Sequence, residues 1–517
     1  MPHNSSRRTF LQKAGFAGCS GLLFGGLSGA LSRAWGMDAA GCTAPHKEGV
    51  ITCDVCVIGA GGAGLAAAIS AHEAGACVLV LEKMPLVGGN TLLADEAVSS
   101  LEDVKSAKSR VEAQEIRADR AKLLEEMLER GRTGRPELER LLVDRSDDTL
   151  EWLMAIGCDL PRREARWGYR HVWEYRPPSG EPLGSEVMRP LLYRVEQLGI
   201  PVITRTRAEN ITGGLDAGRL QVHAKDGFGR CACVDAGAVV IATGGFAGSL
   251  EAVNRLCPDA PARLMTTNTA SATGDGLRLA DGMGAAFCDL DAVVLQPTTE
   301  ALSGVIVPMA LRRSGAVLIN REGRRFVNEL AASEVVSNAI LEQKDACAWL
   351  VADSTITLAR RLQSDLLSPL AMRADPTILE LARSIGVDED ALYYTFDACR
   401  RTRCTDGAAY PRSLPSVPFV DAPFYSIKVR PAYHSTPGGI RIDTQARALN
   451  RRGSPIPGLF AAGETAGGIW GRQRLDNLGL IDALVFGRIA GTSAAQEAKA
   501  HRAVELARKT GAAPQRG

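Results

Sequence analysis

The sequence predicts an α/β fold: a dinucleotide-binding domain into which an α+β domain is inserted. Three observations carry that expectation. Near residue 59 a glycine-rich turn follows an apolar stretch and opens an Ala-rich one. Glycine-turn segments of the same kind return at 238–246 and again after 434. Between about 299 and 430 such signals are missing, and the chain is more polar and Arg-rich. That order describes a nucleotide domain that the chain leaves and re-enters.

The composition suits this reading. A chain of 517 residues with 45% hydrophobic content can bury a large core in two or three domains. Lys and Arg number 60 against 59 Asp and Glu, and no basic run or basic-aromatic stripe occurs, which argues against a nucleic-acid partner. Glycine is abundant at 54 residues and aromatics are sparse at 5%, as in nucleotide-binding α/β enzymes.

Residues 1–49 read as an export signal and linker. SSRRTFLQK, 5–13, places a twin arginine, Arg7 and Arg8, ahead of Phe10 and Leu11, and a glycine-diluted apolar stretch follows at 14–31. This is the pattern of a twin-arginine (Tat) signal, with cleavage expected between Ala30 and Gly49. A membrane anchor is the alternative, but the stretch is short and Gly-rich for a span of about 20 strongly apolar residues. Ala40-Gly41-Cys42 is a weak lipoprotein-type site. No other run is long enough to cross a bilayer, so the mature chain is expected to have no transmembrane span and to work outside the cytoplasm, in the periplasm or its equivalent. Tat substrates usually fold before export, often around a cofactor, so the signal itself points to one.

The next segment, DVCVIGAGGAGLAAAISAHEAGACVLVLEK at 54–83, is a βαβ unit. Val55, Val57 and Ile58 make a strand, Gly59-x-Gly61-x-x-Gly64 a tight turn, 66–74 a helix, and Val78 to Leu81 a second strand ending in Glu82. A lone G-x-G-x-x-G is a weak signal. Here it follows a strand, opens a helix, and has an acid 23 residues after its first glycine. The glycines let backbone approach a pyrophosphate at the helix N-terminus, and Glu82 suits ribose hydroxyls while disfavouring a 2′-phosphate. Residues 101–160 have helical periodicity, 201–243 are β-rich, and 271–285 read as a turn and short helix.

Thirteen cysteines are scattered. Cys53 and Cys56 form C-x-x-C inside a strand, where residues three apart face opposite sides, so they make a poor metal pair and read better as buried apolar groups. No second C-x-x-C and no C-x-x-C-H occurs. A four-cysteine iron–sulfur cluster, c-type haem attachment and a metal site are therefore not expected.

Together VIGAGGAGLAAA, LEK, GGNT at 88–91, ATGGF, TGDG at 273–276, INREGRRFVNE, GGIRID and GLFAAGE resemble the FAD-dependent flavoprotein family of fumarate reductases, succinate dehydrogenases, urocanate reductases and ketosteroid dehydrogenases, from about Cys53 to Ala494. The resemblance implies a Rossmann-like FAD-binding domain, 50–298 and 431–510, a capping domain that carries substrate groups, 299–430, and a tail, 511–517. It implies FAD on Gly59, Ala60, Gly61, Gly62, Ala63, Gly64, Glu82 and Lys83. Gly89, Asn90 and Thr91 would contact the flavin ring and linker, Ala208 and Thr243 would flank the adenosine, and Gly244 would belong to the same cofactor site. Asp275 and Glu464 would serve the ribityl chain, and Gly479 and Leu480 the flavin carbonyls. No flavinylation motif stands near GGNT, so a non-covalent cofactor is expected.

The resemblance also implies a substrate site where the capping domain closes over the flavin. His434, before Gly438-Gly439, and Arg474, in GRQRLDNLGL, match the family's carboxylate clamp, and Arg312 matches a relay arginine. Three positions depart: Gln296 stands for a histidine, Pro308-Met309 for a Thr-Glu pair that binds a second carboxylate, and Ser333 for the proton-donating arginine. The expected activity is reduction of an activated C=C bond in a monocarboxylate enoate of the acrylate type, not fumarate, with Tyr433, Arg312, Arg313 or Glu334 as proton donor, or a water positioned by Ser333. Alternatives are a ketosteroid-type dehydrogenase and a flavin-loaded electron-transfer subunit without its own turnover. Electrons are expected from a separate cytochrome or quinol-linked protein.

Overall fold

The computed structural model describes residues 50–510 apart from 95–97, 101–108, 168–169, 179–181, 214–217, 357–370, 406 and 476–477. The export signal, its cleavage region and the tail at 511–517 lie outside the described residues.

The described chain divides into two compact units. One comprises 50–260, Asn268–Val293 and 435–510; the other comprises Pro261–Thr267 and Val294–His434.

The first unit is built on an eight-stranded sheet. Its centre is parallel: Pro455–Ala461, Cys231–Ile241, Val50–Ile58, Val78–Leu81 and Val202–Ile203 lie side by side in that order. The central strands read as near-continuous Val, Ile, Leu, Ala and Cys because helices cover both faces of a parallel sheet. Val55, Val57, Val80, Val239 and Val240 are all buried. The antiparallel hairpin Thr206–Gly213 and Leu220–Asp226 extends from Cys231–Ile241. The helix Gly62–Glu73 is Ala-rich because it is buried along almost its whole length, with the long C-terminal helix Gly479–Thr510 packed on it. Small side chains let the two helix backbones come close.

The second unit has a six-stranded sheet centred on Phe424–Ser435. That strand pairs in parallel with Met265–Thr266 and antiparallel with Ala348–Ala352 and Met372–Asp375. The helices Met309–Arg313, Ser333–Leu341, Ile378–Ile385 and Glu389–Thr402 belong to this unit, and Phe396 stacks on Phe419 with ring centroids 4.2 Å apart. Its apolar core, including Leu318, Val336, Leu350, Phe396 and Ile427, is separate from that of the first unit.

Candidate active site

The glycine turn is shaped by contacts that no side chain could share. Gly59 sits at φ 107°, and a Cβ there would lie 2.3 Å from the Ala242 carbonyl oxygen. A Cβ on Gly64 would lie 1.9 Å from the Gly59 oxygen. Gly61 precedes the Gly62–Glu73 helix with no side-chain cap of its own, and Ala60 and Ala63 complete the turn. The helix N-terminus thus presents backbone N–H groups, the donor set that a pyrophosphate accepts from. Thr91 supplies a partial cap from a distance, its Oγ1 accepting from Gly62 N at 3.0 Å. The GGNT segment is laced to the turn by Gly88 N donating to the Ala60 carbonyl, and Gly89 is left-handed with open space beside it.

Glu82 closes the turn. Its two oxygens accept from Ala60 N at 2.8 Å and Met84 N at 2.7 Å, and burial pushes its carboxyl above the usual range against those hydrogen bonds. Each oxygen keeps a lone pair for a further donor, as ribose recognition needs. One residue on, Lys83 Nζ donates to Thr273 at 2.7 Å and Asp275 at 2.9 Å. Arg207 grips the same Asp275 at 2.7 and 3.2 Å, and these hydrogen bonds hold that carboxyl below its ordinary value despite burial. Asp275 is therefore tied to the residue that follows Glu82 and sits between two cations. Ala208 is buried in the strand that also carries Arg207. Thr243 donates to Thr465 at 3.3 Å, and Gly244 follows at φ 73° with no atom near its missing Cβ.

A second polar group forms around Asn90, Glu464 and Arg474. Asn90 Oδ1 accepts from Thr269 N and Oγ1 at 2.9 and 3.0 Å, and its Nδ2 donates to Asn268 at 2.5 Å. Glu464 Oε1 accepts from Thr436 N at 2.8 Å; burial raises its carboxyl, while Thr436, the Arg474 charge and Asn90 lower it. Arg474 is partly buried and lies over the start of the C-terminal helix, so closely that a Cβ on Gly479 would sit 1.6 Å from its NH1. Gly479 is thus needed by Arg474 as well as by a helix start at which Gly479 and Leu480 expose their N–H groups. The turn glycines, the helix N-terminus at Gly62 that Thr91 caps only in part, the helix start at Gly479 and the acid at 82 fit a dinucleotide flavin.

Sequence reading did not find Thr436, Thr269, Arg207, Glu139 or Asp482. Trp470 Nε1 donates to Asp482 Oδ2 at 2.6 Å in the buried interior. Burial pushes the Asp482 carboxyl up to about 7 against the pull of Trp470 and Arg474. Glu139 is fully buried, and burial alone pushes it up to about 7. In the folded chain both acids stay neutral below about pH 7, while both are charged above about pH 4 when unfolded. Their contribution to stability is complete below that value and is lost as pH rises through about 7. Stability should therefore fall between pH 5 and 7 by on the order of 1 kcal/mol per unit for each group. Denaturant titrations at several pH values check this: Asp482→Asn should flatten part of the slope, and an unchanged slope would contradict it.

In the second unit, His434 lies on the strand Phe424–Ser435, its Nδ1 2.8 Å from the Thr267 hydroxyl. Tyr433 is adjacent but faces the other way, as successive strand residues do. It is 1% exposed and its hydroxyl donates to the Pro261 carbonyl. Arg312 is buried, and its NH1 donates to the Glu329 carbonyl at 2.8 Å. Glu329 is wholly buried between Arg325, bound through two hydrogen bonds at 2.9 and 2.7 Å, and Arg412 at 3.5 Å. Arg412 NH2 donates to the Arg312 carbonyl at 2.6 Å, so this ion cluster braces the relay candidate. Ser333 is the first residue of the helix Ser333–Leu341, which packs on the strand Val294–Glu300 that carries Gln296. Pro308 precedes and Met309 begins the short helix bearing Arg312. Among the described residues no cluster of His, Cys, Asp or Glu could hold a metal, and no helix is long and apolar enough to cross a membrane.

Residues 54–480 match the model of the FAD binding domain family. The fumarate reductase (cytochrome) of Shewanella frigidimarina is 34% identical over 469 residues, covering 89% of this chain and 79% of that protein. The urocanate reductase of Eggerthella lenta is 32% identical over 467 residues, covering 87% and 75%. The open conformation of a flavocytochrome c3 fumarate reductase superposes with a TM-score of 0.71 at 30% identity, covering 86% of this chain and 78% of that one. The chain belongs to the FAD-binding flavoproteins of the fumarate reductase type. It is an FAD-dependent oxidoreductase of the group acting on CH–CH and C=C bonds.

Proposed function

We propose that the protein reduces the activated C=C bond of an enoate with a single carboxylate and a bulky or aromatic remainder, and that fumarate is not its substrate. One observation carries this reading. The residues matching the family's grip on one carboxylate, Arg474 and His434, are retained, while those matching its grip on a second are replaced by Gln296, Pro308 and Met309, and its proton-donating arginine by Ser333. Within its own unit each retained group is held for use: Arg474 by the start of the C-terminal helix, His434 by Thr267.

The glycine turn Gly59–Gly64 with Glu82 would hold FAD without a covalent link, and the flavin would supply hydride chemistry to the β-carbon of the alkene. Arg474 binds the substrate carboxylate through paired hydrogen bonds and stabilises the charge that develops as the β-carbon is reduced. On the resemblance to the family's clamp, His434, oriented by Thr267, is assigned to carboxylate binding as well. The α-carbon must receive a proton, and the segment from Arg312 to Glu334 is the source we favour, since the Tyr433 hydroxyl is spent on Pro261. The reduced substrate leaves with one hydride and one proton gained.

Ser333→Arg tests whether a missing proton donor is the only barrier to fumarate chemistry. The variant should still not reduce fumarate in a viologen-linked assay with FAD content matched. Pro308 and Met309 offer no hydroxyl or carboxylate for the far end of a diacid, and a misplacement of about 1 Å can cost a hundredfold. Strong activity from this one change would mean that the pocket already accepts a dicarboxylate.

The twin arginine at 7–8 supports export by the Tat route and work outside the cytoplasm, away from soluble NADH. We therefore propose a cytochrome or quinol-linked protein as the electron donor. Reduced viologen should support turnover by the purified chain and NADH should not; robust NADH-driven turnover would overturn the donor assignment.

A further inference from the structure

Cys399 and Cys404 take no part in the reaction described above. Cys399 stands in the last turn of the helix Glu389–Thr402. The helix stops at Arg403, φ 48°, and Cys404 stays in the left-handed region at φ 58°. Such a conformation is costly for a residue with a side chain and persists where surrounding contacts impose it. Here Arg403 N donates to the Cys399 carbonyl at 2.6 Å, Arg412 N to the Cys404 carbonyl at 2.7 Å and Ser416 N to the Arg403 carbonyl at 2.8 Å. The chain doubles back, and the two thiol sulfurs lie 2.8 Å apart, both free and both buried, at 2% and 1% exposure.

The surroundings favour reaction between the two. The Arg325 charge lies close enough to favour a thiolate at either sulfur, with Glu329 opposing it. The hydrogen bond from Cys399 pulls the Cys404 thiol below its ordinary value and pushes Cys399 above it. An attacking sulfur and a resolving sulfur are thereby distinguished within one turn of chain.

We propose that Cys399 and Cys404 are a redox-active pair that closes an intramolecular disulfide on meeting a disulfide oxidant, stapling the end of this helix to the loop that carries Arg412. The Cys404 thiolate attacks one sulfur of the oxidant, whose S–S bond breaks and releases one thiol. Cys399 then loses its proton to water and attacks the Cys404 sulfur of the mixed disulfide, releasing the second thiol. Two S–H bonds are lost, one S–S bond forms, and the two electrons pass to the oxidant. Because both sulfurs are buried, the first attack requires a transient opening of the 403–405 turn, and reclosure brings Cys399 onto the mixed disulfide. The staple secures the loop whose Arg412 donates to the Arg312 and Ala316 carbonyls.

Peptide mapping on the unaltered flavoprotein tests this without a variant. The protein is reduced with a dithiol, freed of it, exposed under native conditions to oxidised glutathione, alkylated in denaturant and digested with trypsin. Cleavage after Arg383, Arg400, Arg403 and Arg412 places the cysteines in separate peptides, 384–400 and 404–412. The expected result is a linked pair of these peptides, lighter by two hydrogen atoms than their sum, present only after oxidation. Recovery of both peptides alkylated, a stable glutathione adduct on either, or linkage of either to another cysteine would overturn the proposal. Hydrogen exchange supplies the second readout. Amides of 404–416 should exchange more slowly in the oxidised than in the reduced protein, and identical protection would refute the stapling.

Discussion

Arg474→Ala should lower kcat/KM for the true substrate by roughly thirtyfold to several thousandfold while leaving FAD bound. The guanidinium lies partly buried among Glu464, Asp482 and the start of the C-terminal helix. Removing one partner of a carboxylate pair from such a site costs on the order of 2–5 kcal/mol, much of it from the charge left unpaired. At about 1.4 kcal/mol per decade this gives the stated range. FAD should stay because the glycine turn and Glu82 are untouched. Steady-state kinetics with the flavin spectrum recorded alongside checks both halves. Unchanged activity would remove the carboxylate anchor and favour the steroid-type dehydrogenase.

Glu329→Ala should destabilise the unit that carries His434 and Arg312 by about 3–5 kcal/mol, the cost of leaving buried charge uncompensated. Glu329 accepts from Arg325 twice and from Leu318 N, with Arg412 at 3.5 Å. The side chains of Glu329 and Arg412 are wholly buried, so bulk solvent does not reach the charge left behind. Burial already holds the Arg412 guanidinium below its ordinary value. A scaffold that also fixes Arg312 would loosen with it. Denaturant unfolding of the purified variant, followed by far-UV circular dichroism, measures the loss. A midpoint equal to that of the unaltered chain would show that this cluster does not hold the unit together.

How far the sequence could be read depended on whether the contacts were local. The turn from Gly59 to Gly64, its strand and its helix are specified within about one βαβ unit, and glycine has no substitute where a Cβ would meet a carbonyl oxygen. The return to this sheet at Pro455–Ala461 was legible in the motif GLFAAGE, whose Leu459, Phe460 and Ala461 are buried in the parallel centre. The Asp275 environment was not visible. Its partners Lys83 and Arg207 are 192 and 68 residues away, and no periodicity connects them. Glu139 and Asp482 are acids in helical first turns, where an exposed, dipole-stabilised role is the ordinary expectation. Only packing shows that they are buried. Tyr433 illustrates a finer point. Adjacency to His434 suggested a shared site, but neighbours on a strand face opposite sides, and the hydroxyl is taken up by Pro261.

The central claim is that reduced flavin in this protein delivers its electrons to a monocarboxylate enoate. It is tested most directly by photoreducing the holoprotein without oxygen and following the flavin absorbance as single compounds are added. The account predicts that at least one acrylate-type enoate, with urocanate and cinnamate in the panel, restores the oxidised spectrum rapidly while fumarate does not. Rapid reoxidation by fumarate, or bleaching of the oxidised protein by a 3-ketosteroid with no response to any enoate, would contradict it.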